Sequence, residues 1–134
     1  MSKSNKEFFK EKKIWSEIKD RLLGWYLTPY LSKILWTKRS VNYIDCFAGK
    51  GKFGDGNPGS PIIALDSIKN TLLRTKTENI QINSYFIDSN YSNELEKNLS
   101  SYTTTKIING RFEEEIISLL EDKQDQNIFL YIDP

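Results

Sequence analysis

Apolar positions first recur at helical spacing. Ile14, Ile18 and Leu22 stand at i, i+4 and i+8, and Tyr26, Leu27, Tyr30, Leu31, Ile34 and Leu35 continue at three-and-four spacing. The pattern predicts helix from Glu7 to Trp36, with Ile14, Ile18 and Leu22 as its first apolar stripe. Pro29 behind Thr28 predicts a kink or a fresh start, Thr28 serving as N-cap and Pro29 as the first helical residue. "WTKRS" (Trp36 to Ser40) reads as a linker. Val41 to Phe47 is β-prone and reads as the first strand. Ser60-Pro61 is a helix start with Ser60 as cap, and Ile62, Ile63, Ala64, Leu65 and Ile68 supply a face running to about Arg74. After the loop "TKTEN", Ile80 to Ile87 reads as a second strand ending in Asp88, and Ser89 as the cap of a helix carrying Leu95 and Leu99. Lys106 to Ile108 is a short third strand, which Asn109-Gly110 turns into a helix from Arg111 to Leu120 bearing Ile116, Ile117, Leu119 and Leu120. "EDKQDQ" is a loop, and Asn127 to Ile132 a fourth strand ending in Asp133.

Helices followed by β-α-β-α-β-α-β predict an α/β domain with a parallel sheet and right-handed crossovers. Strands one, two and four each end in a carboxylate: Asp45, Asp88 and Asp133. Ligands of open parallel sheets bind at the carboxyl ends of the strands, where the strand order reverses. Aspartate is also a common turn former, so a single such residue carries little weight. Three of them, with a glycine loop after the first, point to a site.

That loop reads "DCFAGKGKFGDGNPGSP" and places Phe47, Ala48, Gly49 and Gly51 directly after Asp45. Glycines let main chain approach a ligand closely, and free N–H groups at a strand-to-helix loop suit a nucleotide-like ligand. It is no phosphate-binding Walker loop, since no Gly-Lys-Ser/Thr precedes a helix, and no clean G-x-G-x-x-G. Taken alone, "GKG" reads equally as a plain turn. An acidic side chain at Asp88 can accept both hydroxyls of a ribose. The spacing from the glycines exceeds the usual ~20 residues, for which the insert "FGDGNPGSP" accounts. After the third strand, Gly110 and Phe112 lie where an adenine is recognised. The plainer alternatives stand beside these: Asp88 as a neighbour of a helix cap, Asn109-Gly110 as a turn, Phe112 as core. Together the pieces spell a site for an adenosine carrying a charged group.

Composition narrows the chemistry. The 134 residues suffice for one domain, and 13% aromatics fit a folded soluble chain better than a disordered one. The formal charge of +1 gives no global field toward nucleic acid. Lys3, Lys6, Lys10, Lys12, Lys13, Lys19, Arg21, Lys33, Lys38 and Arg39 nevertheless outnumber Glu7, Glu11, Glu17 and Asp20 in the first 39 residues. These helices read as a solvated face or as a surface touching phosphates. Histidine is absent, which removes His-based general-base catalysis and the Ser-His-Asp triad. With Cys46 as the single cysteine, neither a disulfide framework nor a zinc site is expected. No apolar run approaches the ~20 residues needed to cross a bilayer, and the basic N-terminus lacks a signal-peptide core, so the expectation is a cytoplasmic protein without membrane or metal.

With Tyr43-Ile44-Asp45, Phe47-Ala48-Gly49, Gly51, Phe53, Gly59-Ser60-Pro61 and Ile63-Ala64-Leu65 in place, the chain resembles the three-Cys-motif partner (TcmP) family of class I S-adenosylmethionine-dependent methyltransferases. The resemblance implies a Rossmann-like core of sheet order 3-2-1-4, with residues 1–40 as an N-terminal helical extension and 41–134 as the N-terminal half of the methyltransferase domain. S-adenosylmethionine would lie across Asp45, Phe47, Ala48, Gly49 and Gly51, with its ribose at Asp88 and its adenine near Gly110 and Phe112. In the family the fourth strand runs into D-P-(P/F)-x, where the Asp and a nearby carbonyl orient an exocyclic amine toward the methyl group. Asp133 and Pro134 match that start, which implies methyl transfer to a nitrogen, nucleic acid bases being one acceptor class. The chain stops there, so the expectation is an incomplete domain, inactive alone, whose fourth strand is an exposed apolar edge and which is marginally stable or needs a partner. The family pairing with a three-Cys-motif protein offers the alternative of a non-catalytic interaction module. "D-x-FAG-x-G" also resembles the first motif of cytosine-C5 DNA methyltransferases, but those need Pro-Cys after the fourth strand, where this chain has Asp-Pro.

Overall fold

Strand β1 (Val41–Asp45) is buried at every position, as only the interior of a sheet covered on both faces permits. The computed structural model describes residues 13–75 and 80–133. The Glu7 to Lys12 part of the first expected helix, residues 76–79 of the "TKTEN" loop and Pro134 lie outside them. The described elements are α1 (Ile14–Ile34) with a 3₁₀ turn at Leu35–Thr37, β1, α2 (Ser60–Arg74), β2 (Ile82–Asp88), α3 (Ser92–Asn98), β3 (Thr105–Asn109), α4 (Phe112–Glu121) and β4 (Asn127–Tyr131). The four strands form one all-parallel sheet in the order β3-β2-β1-β4, an α/β arrangement of Rossmann-like type.

Strand order fixes the layers. Successive right-handed crossovers from β1 to β2 to β3 put α2 and α3 on one face, and the return from β3 to β4 puts α4 on the other. Side-chain alternation agrees. Val41, Tyr43, Ile82 and Phe86 join Leu27, Leu31, Ala64, Leu65, Ile68, Leu95 and Leu99 in the main core under α1, α2 and α3. Ile44, Cys46 and Ile87 form a smaller cluster with Phe112, Ile116, Leu119 and Leu120 of α4. Tyr43 stacks on Phe129 at 5.6 Å, which ties β4 into the main core. Asn42 fastens the start of β4 by donating to Gln126 Oε1 at 2.7 Å and to the Asn127 carbonyl at 3.3 Å.

Several local expectations need correction. The stripe Ile14, Ile18 and Leu22 faces solvent at 77%, 55% and 56% exposure, while the inward row of α1 is Ser16, Asp20, Leu23, Leu27 and Leu31. Pro29 does not restart the chain, since α1 is assigned as one helix through it and Thr28 is no cap. Pro29 is exposed, as is Trp25 one turn back, whose carbonyl loses its intrahelical donor on the side open to water. Gly59, not Ser60, caps α2, and α3 begins after Tyr91 rather than at Ser89. β1 ends at Asp45 rather than Phe47, and β2 begins at Ile82 rather than Ile80.

The sheet is unevenly covered. β4 is an edge strand and its residues are only partly buried. Leu130 and Ile132 remain 38% and 53% exposed, and no residue of α4 is fully buried. Within the apolar run "NIFLYI", Ile128, Phe129 and Tyr131 pack on the core while Leu130 and Ile132 stay open to solvent.

Candidate functional site

The main chain leaving β1 is stitched to its neighbours at once. The Phe47 amide donates to Asp45 Oδ1 at 3.2 Å, Ala48 N–H to the Ile87 carbonyl at 3.0 Å, and Gly49 N–H to Asp88 Oδ1 at 3.0 Å. Gly49 and Gly51 both have positive φ, 68° and 88°. The positive φ at Gly51 favours glycine, and a Cβ there would also stand 3.1 Å from Leu95 Cδ1, which would have to shift by a few tenths of an ångström to make room. The following residues form a small hairpin, not a slack bend. Lys52 pairs with Pro58, Phe53 N–H donates to the Asn57 carbonyl, and Gly59 N–H donates to the Gly51 carbonyl at 2.8 Å. Asn98 Nδ2 donates to the Lys50 carbonyl at 2.7 Å and holds the loop against the end of α3.

The strand-end carboxylates are used differently from one another. Asp45 is buried beneath the loop and acts as a strut. Its Oδ2 accepts the Ser60 hydroxyl at 2.7 Å, joining β1 to the start of α2. Burial pushes the Asp45 carboxyl up to about 7, opposed by the hydrogen bonds from Ser60 and Phe47 and reinforced by Asp133 and Asp20 nearby. The same burial, with Asp45 beside it, pushes the Cys46 thiol up to about 11. Asp88 accepts the Gly49 amide on one oxygen and the Asn90 and Tyr91 amides on the other. Since a carboxylate offers about four acceptor positions, roughly one is left for a ligand. Asp133 lies past β4, its Oδ2 2.9 Å from Lys19 Nζ. Burial and Asp133 together hold the Tyr131 hydroxyl in its protonated form.

Two cavities open at this end of the sheet. The larger, about 500 Å³, lies over the tips of β1 and β4, where strand order reverses, and includes Phe47, Ala48, Gly49, Gly51, Asp88 and Asp133 in its lining. The smaller, about 280 Å³, is bounded by Cys46, Phe47, Ile87, Asp88, Gly110 and Phe112. Phe47 and Asp88 belong to both, and the Phe47 and Phe112 rings lie 5.3 Å apart at 44°. The expected residues are thus brought to one rim, apart from Asp45 beneath it and Pro134 outside the described residues.

Sequence reasoning missed the contribution of α1. Trp15, Ser16, Lys19 and Asp20 line the larger cavity opposite the glycine loop, and Tyr91 and Tyr131 complete it. A signal was present: the buried row Leu23, Leu27 and Leu31 continues backward into Asp20 and Ser16, and a polar turn on a buried row marks a surface facing something other than core.

No family model matches the chain, and a search of characterised proteins finds no significant relative. Among the described residues, no group of three or more His, Cys, Asp or Glu side chains is placed to hold a metal ion, and no helix is long and apolar enough to cross a membrane.

Proposed function

We propose that this chain is the cofactor-binding part of an S-adenosylmethionine-dependent methyltransferase of the three-Cys-motif partner type, directed at a nitrogen, with nucleic acid bases as one acceptor class. One observation carries the reading: two adjoining cavities at the carboxyl end of a parallel sheet, the larger at its switch point, sharing Phe47 and Asp88. Together they exceed the ~300 Å³ at which small-molecule sites begin. The smaller suits a planar base beside Phe112 and Gly110, the shared wall suits a ribose at Asp88, and the larger suits a charged arm.

The lining fits the donor's charges. S-adenosylmethionine carries a sulfonium, an ammonium and a carboxylate, against which the larger cavity sets Asp20, Asp133 and Lys19. When bound, the donor supplies a methyl group already electrophilic on sulfur, so the protein's task is alignment more than activation. Gly49 and Gly51 would keep the loop close to the ligand. Asp88 would accept a ribose hydroxyl while holding the loop through Gly49. Asp133 would accept an N–H of the incoming amine and turn its lone pair toward the cavity. Titration calorimetry with S-adenosylmethionine and S-adenosylhomocysteine tests this. Binding is expected, and Asp88→Asn, which keeps one acceptor oxygen, should weaken it at least tenfold. A well-folded protein that binds neither at millimolar concentration ends the proposal.

A second reading is a non-catalytic module that docks on a three-Cys-motif protein. The outward apolar face of α1 and the open β4 edge favour it. Folded protein without donor binding would favour it.

A further inference from the structure

Lys19 joins the glycine-loop cavity to the strand-end carboxylate of Asp133. It stands beside the inward row of α1, next to Asp20, with an exposed side chain that lines the same cavity as Gly49 and Gly51. Its ammonium is already engaged, 2.9 Å from Asp133 Oδ2. That pair closes α1 onto the end of β4, across 114 residues of sequence.

We propose that Lys19 serves two carboxylates in turn: Asp133 before the donor enters, and the carboxylate of the donor's amino-acid arm afterwards, so that loading the donor releases Asp133 toward the acceptor. This rests on the donor reading above. Sheet geometry supplies the direction. Asp88 ends β2 and Asp133 follows β4, on either side of β1. With strands ~4.8 Å apart, these tips are separated by about 10 Å, so a nucleoside held on the β2 side extends its arm across β1 toward α1 and Asp133. Charge supplies the need. Asp20, Asp45 and Asp133 gather near that end, and a ligand carboxylate is repelled there unless a cation meets it. Exposure supplies the ease of exchange. The side chains of Lys19 and Asp133 are 47% and 39% exposed, and solvent-screened pairs of this kind are weakly held.

The test compares two nucleosides by calorimetry on the full chain: S-adenosylhomocysteine, which has the amino-acid arm, and 5′-methylthioadenosine, which lacks it. Lys19→Met should weaken S-adenosylhomocysteine at least tenfold and leave 5′-methylthioadenosine within twofold. Asp133→Asn, by removing the competing carboxylate, should tighten S-adenosylhomocysteine several-fold and again leave 5′-methylthioadenosine unchanged. Lys52→Met is the control, because Lys52 also lines the cavity. If Lys52→Met carries the loss instead, if Lys19→Met affects both nucleosides alike, or if Asp133→Asn fails to tighten binding, the exchange does not occur. These failures leave the nucleoside site standing. Absence of binding by either nucleoside to the unaltered protein overturns the donor reading, and this inference with it.

Discussion

Replacing Asp45 by asparagine should make the protein more stable at pH 8 and change little at pH 4. The carboxyl is fully buried, with its proton held up to about 7 against an ordinary 3.8. The folded state therefore binds that proton about 3 units more tightly than the unfolded chain. The linked stability is present in full below about pH 4 and is lost as pH rises through about 7. At ~1.36 kcal/mol per unit, the loss has a ceiling of about 4 kcal/mol. Asparagine is neutral throughout, and its oxygen still accepts the Phe47 amide while its amide group can face Ser60. At acid pH the two proteins should differ only by the exchanged hydrogen bonds, about 1 kcal/mol. Urea unfolding from pH 4.5 to 8.5 measures the difference directly. With an m-value of about 2 kcal/mol/M, the ceiling is a midpoint shift of about 2 M at pH 8.5. Subtracting the variant's curve from the parent's isolates Asp45 from every other titrating group. A difference that stays flat across the range, or a variant less stable at pH 8.5, would refute the link between burial of this carboxylate and its proton.

Three further outcomes are expected. Gly51→Ala should cost about 1–2 kcal/mol from its positive φ, and more if Leu95 cannot give way; an unchanged urea midpoint would count against the loop geometry. Ser60→Ala removes the hydroxyl that holds the ionised form of Asp45, so the pH at which stability falls should move upward, which the same urea series reads. The open β4 edge should make the chain associate with rising concentration in sedimentation velocity, and Leu130→Lys, which places a charge there, should suppress this without loss of folding; a parent that stays monomeric, or a variant that associates as much as the parent, would show that the edge is not a contact.

The strands and most helices are legible because their periods are local. Val41 to Phe47 and Ile80 to Ile87 read as strands without help from the rest of the chain, each overrunning the observed strand by two residues at one end, and Ser60-Pro61 announces α2. What escaped depends on groups far apart in sequence. Ser60 looked like a cap because cap signals are local, yet its hydroxyl is taken by Asp45, fifteen residues earlier. Asp88 looked like a ribose ligand or a cap neighbour, and it binds three backbone amides around the rim. Ile14, Ile18 and Leu22 drew a convincing stripe, but periodicity gives a face and not its direction. The cavity over β1 and β4 leaves no core for the first turns of α1 to meet, so its polar side turns inward. No periodicity could pair Lys19 with Asp133.

That reversal within α1 divides one helix into two mechanical regimes. Its second half is clamped by Leu23, Leu27 and Leu31, whereas its opening turns rest on Ser16, Lys19 and Asp20 and hold their greasy side to water. Amide exchange should then run as a gradient, fast near Trp15 and slow beyond Leu23, without any break in the helix between them. An occupant of the cavity would rest on Trp15, Ser16, Lys19 and Asp20, slow exchange in those opening turns and so flatten the gradient, making them a gauge of whether the rim is filled.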